Sequence, residues 1–478
     1  MSLFGAINTA VSGLTAQSAA FGNISEDVAN SQTVGFKRVD TSFVDYLTTS
    51  TPLTNEPGAV VAHPNYINNV QGAITQTDNP LGMAIAGQGF FAVSQPTGTL
   101  NGQTTYNPQQ FYTRTGDFSM NASGFLVNSA GQYLNGWTIN PTTKVADQNA
   151  LVPIQVSQQT FNPVPTSSVT LAANLPATPT TGTATTASPL SSQITVYDAL
   201  GTAHAVTLNW VQTLNSSGVA IPNQWSVQIQ VPDAAASPTV GTGASANAGS
   251  ADVTFGAASG TDLGAAGAAV IAPPEGTIGL VVPDVNNPGN PSVAASSYTQ
   301  AAAGTTPTLQ PATVSFTTNF GSGNQTIQLN LGAYGGTSGV TQFAGNAYSL
   351  LGLTQDGVPP GSFSGVTTQA NGNVVVNYNN GQTKTIAQIP LVTFNAPNSL
   401  QSQNGQSFTA TPSSGSPLAE AASTNGAGNL VTGSVEGSNV NIATEFTSLI
   451  VAQQSYSSNA KVVTTANQML QATLQMIA

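Results

Sequence analysis

Along the last forty residues the apolar positions step by four and three without a break: Ile442, Phe446, Leu449, Gln453, Tyr456, Ala460, Val463, Asn467, Leu470, Leu474 and Ile477. A 3.5-residue repeat sustained this long predicts a helix that packs against other helices. Gln453 and Asn467 stand in the seam itself, where a polar side chain fixes register at a cost in stability. The first thirty-one residues repeat the step through Leu3, Ile7, Ala10, Leu14, Gln17, Phe21, Ile24, Val28 and Ser31. Gly5, Gly13 and Gly22 each weaken that helix by about 1 kcal/mol relative to alanine, so packing must supply its stability. Two arrangements follow. Either the ends pair within one chain, or both stay loose in the isolated chain and fold together in an assembly.

Between the helices the period changes to that of strands. Asn69 to Val93 and Phe111 to Trp137 read as short strands broken by turns at Asn79-Pro80, Ser123-Gly124, Ala130-Gly131 and Asn135-Gly136. Two more strands flank Leu200-Gly201, and Asn380-Gly381 has the composition of a two-residue hairpin turn. The expected fold is α+β and mainly β: paired terminal helices with all-β domains nested between them. The expected boundaries are 1–31 with 439–478 for the helices and 32–68 for a connecting segment. An inner β domain takes 69–151 with 361–438, and an outer one 152–360, in which 233–308 is an Ala/Gly/Ser/Thr-rich insert or subdomain.

Composition narrows the function. Of 478 residues 40% are apolar and only 5% charged, so a core forms while the surface is left mainly to uncharged polar groups. Six basic residues against 18 acidic, with none between Lys144 and Lys384, exclude nucleic-acid binding. The absence of cysteine excludes disulfides, thiolate chemistry and cysteine-ligated zinc. The start lacks the pattern of a cleaved signal, and no apolar run has the length of a membrane span. No membrane insertion is therefore expected, and if the protein leaves the cell it does so by a route that needs no cleaved signal.

Four blocks carry a family resemblance. "NISEDVANSQTVGFKR" (23–38), with Ala29, Asn30, Gly35, Phe36 and Lys37, resembles the N-terminal signature of bacterial flagellar rod and hook proteins. "NPLGMAIAGQGFFAV" and "YTRTGDFSMNASGFLVNSAGQYLNGW" resemble two inner blocks of that family, and the final helix resembles its C-terminal one. "VYDALGTAHAVTLNW" (196–210), with Tyr197, Asp198, Gly201 and His204, is similar to a segment of the hook members that the shorter distal rod proteins lack. Two acids in "ISEDVAN" and Gln454 depart from the usual family residues.

The resemblance implies a structural subunit of a helical homopolymer, a curved hollow tube that passes torque from rod to filament as a universal joint. It implies as partners further copies of the chain, the distal rod and hook–filament junction proteins, the hook cap and the flagellar export apparatus, and an extracellular place in the flagellum. Leu3, Ile7, Leu14, Phe21, Ile24, Val28, Ile442, Phe446, Leu449, Tyr456, Val463, Leu470, Leu474 and Ile477 are the expected polymerisation contacts. The alternatives are a distal rod protein of the same family or, in another class, a secreted β-rich adhesin.

The candidates for catalysis are thin, and neither an enzyme nor a cofactor site is expected. His63 and His204 are far apart in sequence, and His204 follows a turn, where a histidine holds a loop more often than it binds a metal. Asp117, Asp198, Asp233 and Asp284 are spread through turns in which aspartate bonds its own backbone. Gly87-Gln88-Gly89 lacks the third glycine of a dinucleotide loop. Lys37 and Arg38 are expected either as solvated charges or as contacts to a neighbouring subunit.

Overall fold

Five strand-to-strand connections close through one kind of turn, at 121–125, 128–132, 198–202, 369–373 and 378–382. In each, the first residue's N–H donates to the fifth residue's carbonyl, and the fourth residue's N–H donates to the first residue's carbonyl. The fourth residue is a left-handed glycine. At Gly201 (φ +81°) any side chain is doubly barred, because a Cβ would stand 2.4 Å from Pro360 Cδ and 2.7 Å from Pro163 Cβ. Asn380-Gly381 is thus part of a three-residue loop with a bulge at Gly381, and not the two-residue turn expected from its composition. Asn135-Gly136 is no turn at all. It lies inside the buried strand Tyr133–Thr138, where a Cβ on Gly136 would come within 2.7 Å of Ile154 and 2.9 Å of the Gln388 carbonyl.

The computed structural model describes residues 3–51, 54–100, 102–176, 189–214, 220–232, 247–256, 274–283, 294–295, 310–345 and 347–477. Helix α1 (Leu3–Ala29) and helix α2 (Ile442–Ile477) stand at the two ends, and among the described residues every other regular element is a strand apart from one short 3₁₀ turn. The chain divides into two compact units, 1–159 with 363–478, and 160–362.

The first unit is woven from both halves of the chain. Strand Phe90–Ser94 sits at the centre of its main sheet, flanked by Tyr133–Thr138 and Phe111–Thr113, and also pairs with Leu391–Thr393. The order continues through Ser407–Thr409 on one side and through Thr383–Gln388 and Asn373–Tyr378 on the other. Phe90, Tyr112, Phe394 and Phe408 form its core, packed edge to face with ring centroids 4.9–5.9 Å apart. Side chains of this size each contribute roughly 1.5–3 kcal/mol on burial.

Between α1 and the sheet, β1 (Val39–Thr51) and β2 (Thr54–Tyr66) form a long two-stranded antiparallel hairpin. The segment 32–68 was expected only as a connection, and its strands contain Pro57 and Pro64. Both prolines are tolerated because a two-stranded ribbon has only edges, and Pro57 stands where the register slips beside Leu47.

The second unit faces a five-stranded antiparallel meander (190–283) with a six-stranded sheet. In the latter, Ser168–Asn174 runs parallel to Asn324–Ala333 and antiparallel to Ser349–Gln355. Both sheets feed one core, with Trp210, Val227 and Phe255 from the first and Leu171, Phe316 and Leu329 from the second. The expected insert 233–308 lies largely outside the described residues. Its described strands, Asn247–Phe255, Ile278–Pro283 and Ala294–Ala295, belong to these two sheets.

Candidate assembly surface

Helices α1 and α2 lie side by side within one chain, the first of the two arrangements the seams allowed. Gly13 marks the contact: a Cβ there would stand 2.9 Å from the Asn459 amide, and Phe21 meets Tyr456 edge to face at 6.3 Å. On α1 the predicted seam is at least half-buried, with Ile7, Leu14, Phe21 and Val28 intermediate and Ala10 and Ile24 buried. Its other side faces the hairpin, where Thr9 donates to the Gly58 carbonyl, Val60 N–H donates to Ser12 Oγ and Asn23 donates to Thr41.

On α2 the buried stripe is turned by one residue from the predicted one. Leu449, Ala460, Val463 and Leu470 of the seam are half-buried, but the second column consists of buried Glu445, Ala452 and Ala466 with half-buried Asn459, while Phe446, Gln453 and Asn467 are exposed. Small side chains permit close approach of the helices, so the larger ones are turned outward. Phe446 is 51% exposed, Ile450 61%, Val451 58%, Tyr456 43% and Met469 56%, and Ile442 is also exposed. The hairpin adds Phe43, Tyr46 and Leu47 to the exposed apolar groups of this unit. The side chains of Leu3, Leu474 and Ile477 lie outside the described residues.

The first unit also holds a buried ionic cluster that the sequence did not reveal. Lys37 Nζ donates to Glu436 Oε1 at 2.6 Å and to the Val70 carbonyl at 2.7 Å. Arg114 donates to Glu436 Oε2 at 3.0 Å and to the carbonyls of Ile85 and Gly87, with its guanidinium 5.3 Å from the Phe90 ring centre. The Gly72 N–H completes the set on Glu436 Oε1 at 2.9 Å. Side-chain exposures are 1% for Lys37, 0% for Glu436 and 3% for Arg114. Burial pushes Lys37 and Arg114 below their usual values although Glu436 pulls both up. Lys37 is therefore neither solvated nor offered to a neighbour: its partner stands in the same chain, 399 residues on.

The rest of the motif positions this lysine. Asn30 closes the end of α1 through the Glu26 carbonyl and Thr33, while Ala29 is exposed. Gly35 (φ +71°) lets the chain pass against Thr115 N, 2.5 Å from where a Cβ would sit, and donates to the Glu436 carbonyl. Phe36 is buried beside it. Arg38 is half-exposed, 3.3 Å from Asp40 and 3.7 Å from Glu445, and its backbone N–H donates to Asn439.

In the second unit, Asp198 Oδ1 accepts the N–H groups of Leu200 and Thr202 at 2.9 and 2.7 Å. His204 lies 3.6 Å from Asp198 and stacks on Phe320, so the pair braces the turn that Gly201 makes possible. Tyr197 ties the turn inward through Thr166 and Gln325. Among the described residues no group of three His, Asp or Glu side chains is arranged to hold a metal, and no helix is long and apolar enough to cross a membrane.

Three family models match in chain order. Residues 84–171 match the flagellar hook protein FlgE/F/G D1 domain, 166–358 the flagellar basal body protein FlaE D2 domain, and 431–476 the flagellar basal body rod FlgEFG protein C-terminal region. The second match nearly coincides with the unit 160–362. Flagellar hook protein FlgE of Brucella suis is 27% identical over 470 residues, 98% of each chain. Those of Escherichia coli K12 and Caulobacter vibrioides are also 27% identical, covering 97% and 100% of this chain and 98% and 100% of theirs.

The chain belongs to the flagellar hook protein family.

Among solved structures, the Helicobacter pylori flagellar hook protein FlgE2 is similar at 14% identity with a TM-score of 0.43, over 74% of this chain and 98% of that one. In this hook-family chain the Gly35-Phe36-Lys37 motif is a buried buckle that fastens the N-terminal segment to Glu436. The Tyr197–His204 motif is a braced hairpin turn in the second unit.

Proposed function

We propose that this chain is a structural subunit of the flagellar hook that binds further copies of itself through the outward apolar faces of α2 and the β1–β2 hairpin. The observation that carries the reading is the row Phe446, Ile450, Val451 and Met469, which α1 leaves uncovered. Apolar surface of this extent on a nearly uncharged helix needs a partner to bury it, and contacts that repeat without closing generate a helical polymer. The terminal helices would line a hollow tube, and the largely uncharged exterior would let outer contacts slide as the tube bends and passes torque. The rod, the junction proteins at the filament, the cap and the export apparatus are the partners such a tube requires, and its place is outside the cell.

Half-buried Leu449, Val463 and Leu470 hold the helices of one chain together in this reading, and exposed Phe446 and Tyr456 reach the next. Phe446→Asp is the test. It should leave the monomer's circular dichroism and melting unchanged while preventing sedimentable polymer and motility, since a buried charge costs several kcal/mol. Immunogold against the wild type should label short curved segments at filament bases. Uniform cell-surface label, or a Phe446→Asp chain that assembles normally, would overturn the reading.

A further inference from the structure

Where α1 ends, β1 begins and α2 begins, the carboxylates of Asp27, Asp40 and Glu445 lie close enough to repel one another. Arg38 is shared between Asp40 and Glu445 at 3.3 and 3.7 Å. Asp27, in the last turn of α1, is 1% exposed, and both its oxygens accept the Val39 N–H, at 3.0 and 3.2 Å. Among the described residues no cation lies within ion-pairing distance of it, and it sits at the negative end of the α1 dipole. Near it stand Glu26 on α1, Tyr66 opposite Val39 and His63 opposite Ser42 on β2, and Glu445 on α2; Asp45 and Tyr46 lie further along β1, and Tyr456 and Lys461 further along α2. Glu445 is itself buried, one turn after the α2 cap that Asn441 makes to the N–H groups of Ala443 and Thr444.

We propose that Asp27, Asp40, Glu445 and Arg38 form a proton-operated latch, closed while Asp27 holds a proton and loosened when it is ionised. Neutral Asp27 still accepts the Val39 N–H and adds no charge to the pair that shares Arg38. Ionised Asp27 places a buried negative charge beside Glu445 and Asp40, with no cation of its own. Burial first, and then the charges of Glu445, Asp40 and Glu26, push Asp27 up to about 7, against the Val39 hydrogen bond, which lowers it; burial also pushes Glu445 up, with Arg38 opposing. The sign follows from proton counting. Between about pH 4 and about pH 7 the folded junction holds a proton that the opened chain has released, so stability falls across that interval and levels off above it.

The experiment uses the full chain, unassembled, so its outcome does not depend on the hook reading. Amide exchange over 23–39, corrected for the intrinsic base-catalysed rate, should show the opening equilibrium rising at least about tenfold between pH 5 and pH 8. Asp27→Asn should abolish that dependence, and Glu445→Gln should move its midpoint down. A flat wild-type profile, an Asp27→Asn chain with the same slope, or an unmoved midpoint in Glu445→Gln would overturn the latch. Should Asp27→Asn fail to fold, carboxyl carbon NMR of the wild type decides: titration of Asp27 near 7 supports the latch, and titration below about 5, close to the ordinary aspartate range, overturns it.

Discussion

Exchanging Glu436 for glutamine changes one charge and almost no volume, yet it should be among the costliest single substitutions in the first unit. Glu436 receives three donors, from Lys37 at 2.6 Å, Arg114 at 3.0 Å and the Gly72 N–H at 2.9 Å, with its side chain fully buried. The amide of glutamine would offer an N–H to one of these donors, and Lys37 and Arg114 would face each other without a counter-charge. Breaking a buried pair by removing one partner costs about 3–5 kcal/mol, a large share of a typical stability of about 5–15 kcal/mol. The cluster's net worth is smaller than that figure, because burial already pulls Lys37 down in the presence of Glu436. Lys37→Met should therefore recover part of the loss when added to Glu436→Gln. Amide exchange under mild urea separates the units: protection of 83–94 should drop in the single variant and partly return in the double, while 206–229 is unchanged. A loss under about 1 kcal/mol in Glu436→Gln, or a double variant less stable than the single, would refute the reasoning.

Gly13→Leu should separate α1 from α2, since even a Cβ meets Asn459 at 2.9 Å, and helical circular dichroism should fall while the strands persist. Gly201→Ala should destabilise the second unit by more than about 1 kcal/mol, from a left-handed backbone and contact with Pro163 and Pro360, read as a lowered melting temperature. Burial opposes ionisation of Asp198, but the N–H groups of Thr202 and Leu200 outweigh it and hold the carboxyl below its usual range. Its contribution is thus present at neutral pH and is lost only as pH falls below about 4. Asp198→Asn should lessen the acid slope of the melting temperature of 160–362, Asp356 supplying the rest, and an unchanged acid slope would count against the bracing role.

The two end helices were legible in the sequence because a 3.5-residue repeat persists through both, and the turns at Ser123-Gly124, Ala130-Gly131 and Leu200-Gly201 were legible from glycines between apolar runs. The face of α2 was not. Periodicity weighs Phe446, Gln453 and Asn467 by position, whereas the choice between columns turns on side-chain size, and Ala452 and Ala466 permit the closer approach. The β1–β2 hairpin was not expected in 32–68; it carries Pro57 and Pro64, which edge positions accommodate. Lys37 was misread because nothing near it in sequence predicts Glu436. Asn135-Gly136 has turn composition, and its glycine serves close strand contact instead.

The bond between Lys37 and Glu436 also sets an order of events in time. A chain threaded or synthesised from its N-terminus can close 160–362 on itself as soon as those residues emerge. The first unit has to wait, because Ile74–Gln76, Met83–Ala86 and Phe111–Thr113 find their mates at Ser434–Glu436, Asn429–Thr432 and Ser407–Thr409. Until Glu436 arrives, Lys37 and Arg114 lack their acceptor and half the sheet has bare edges, a state open to wrong partners. Such late, long-range closure is slow. A hook-family subunit built this way folds 160–362 early and holds the other unit open until nearly its whole length is available.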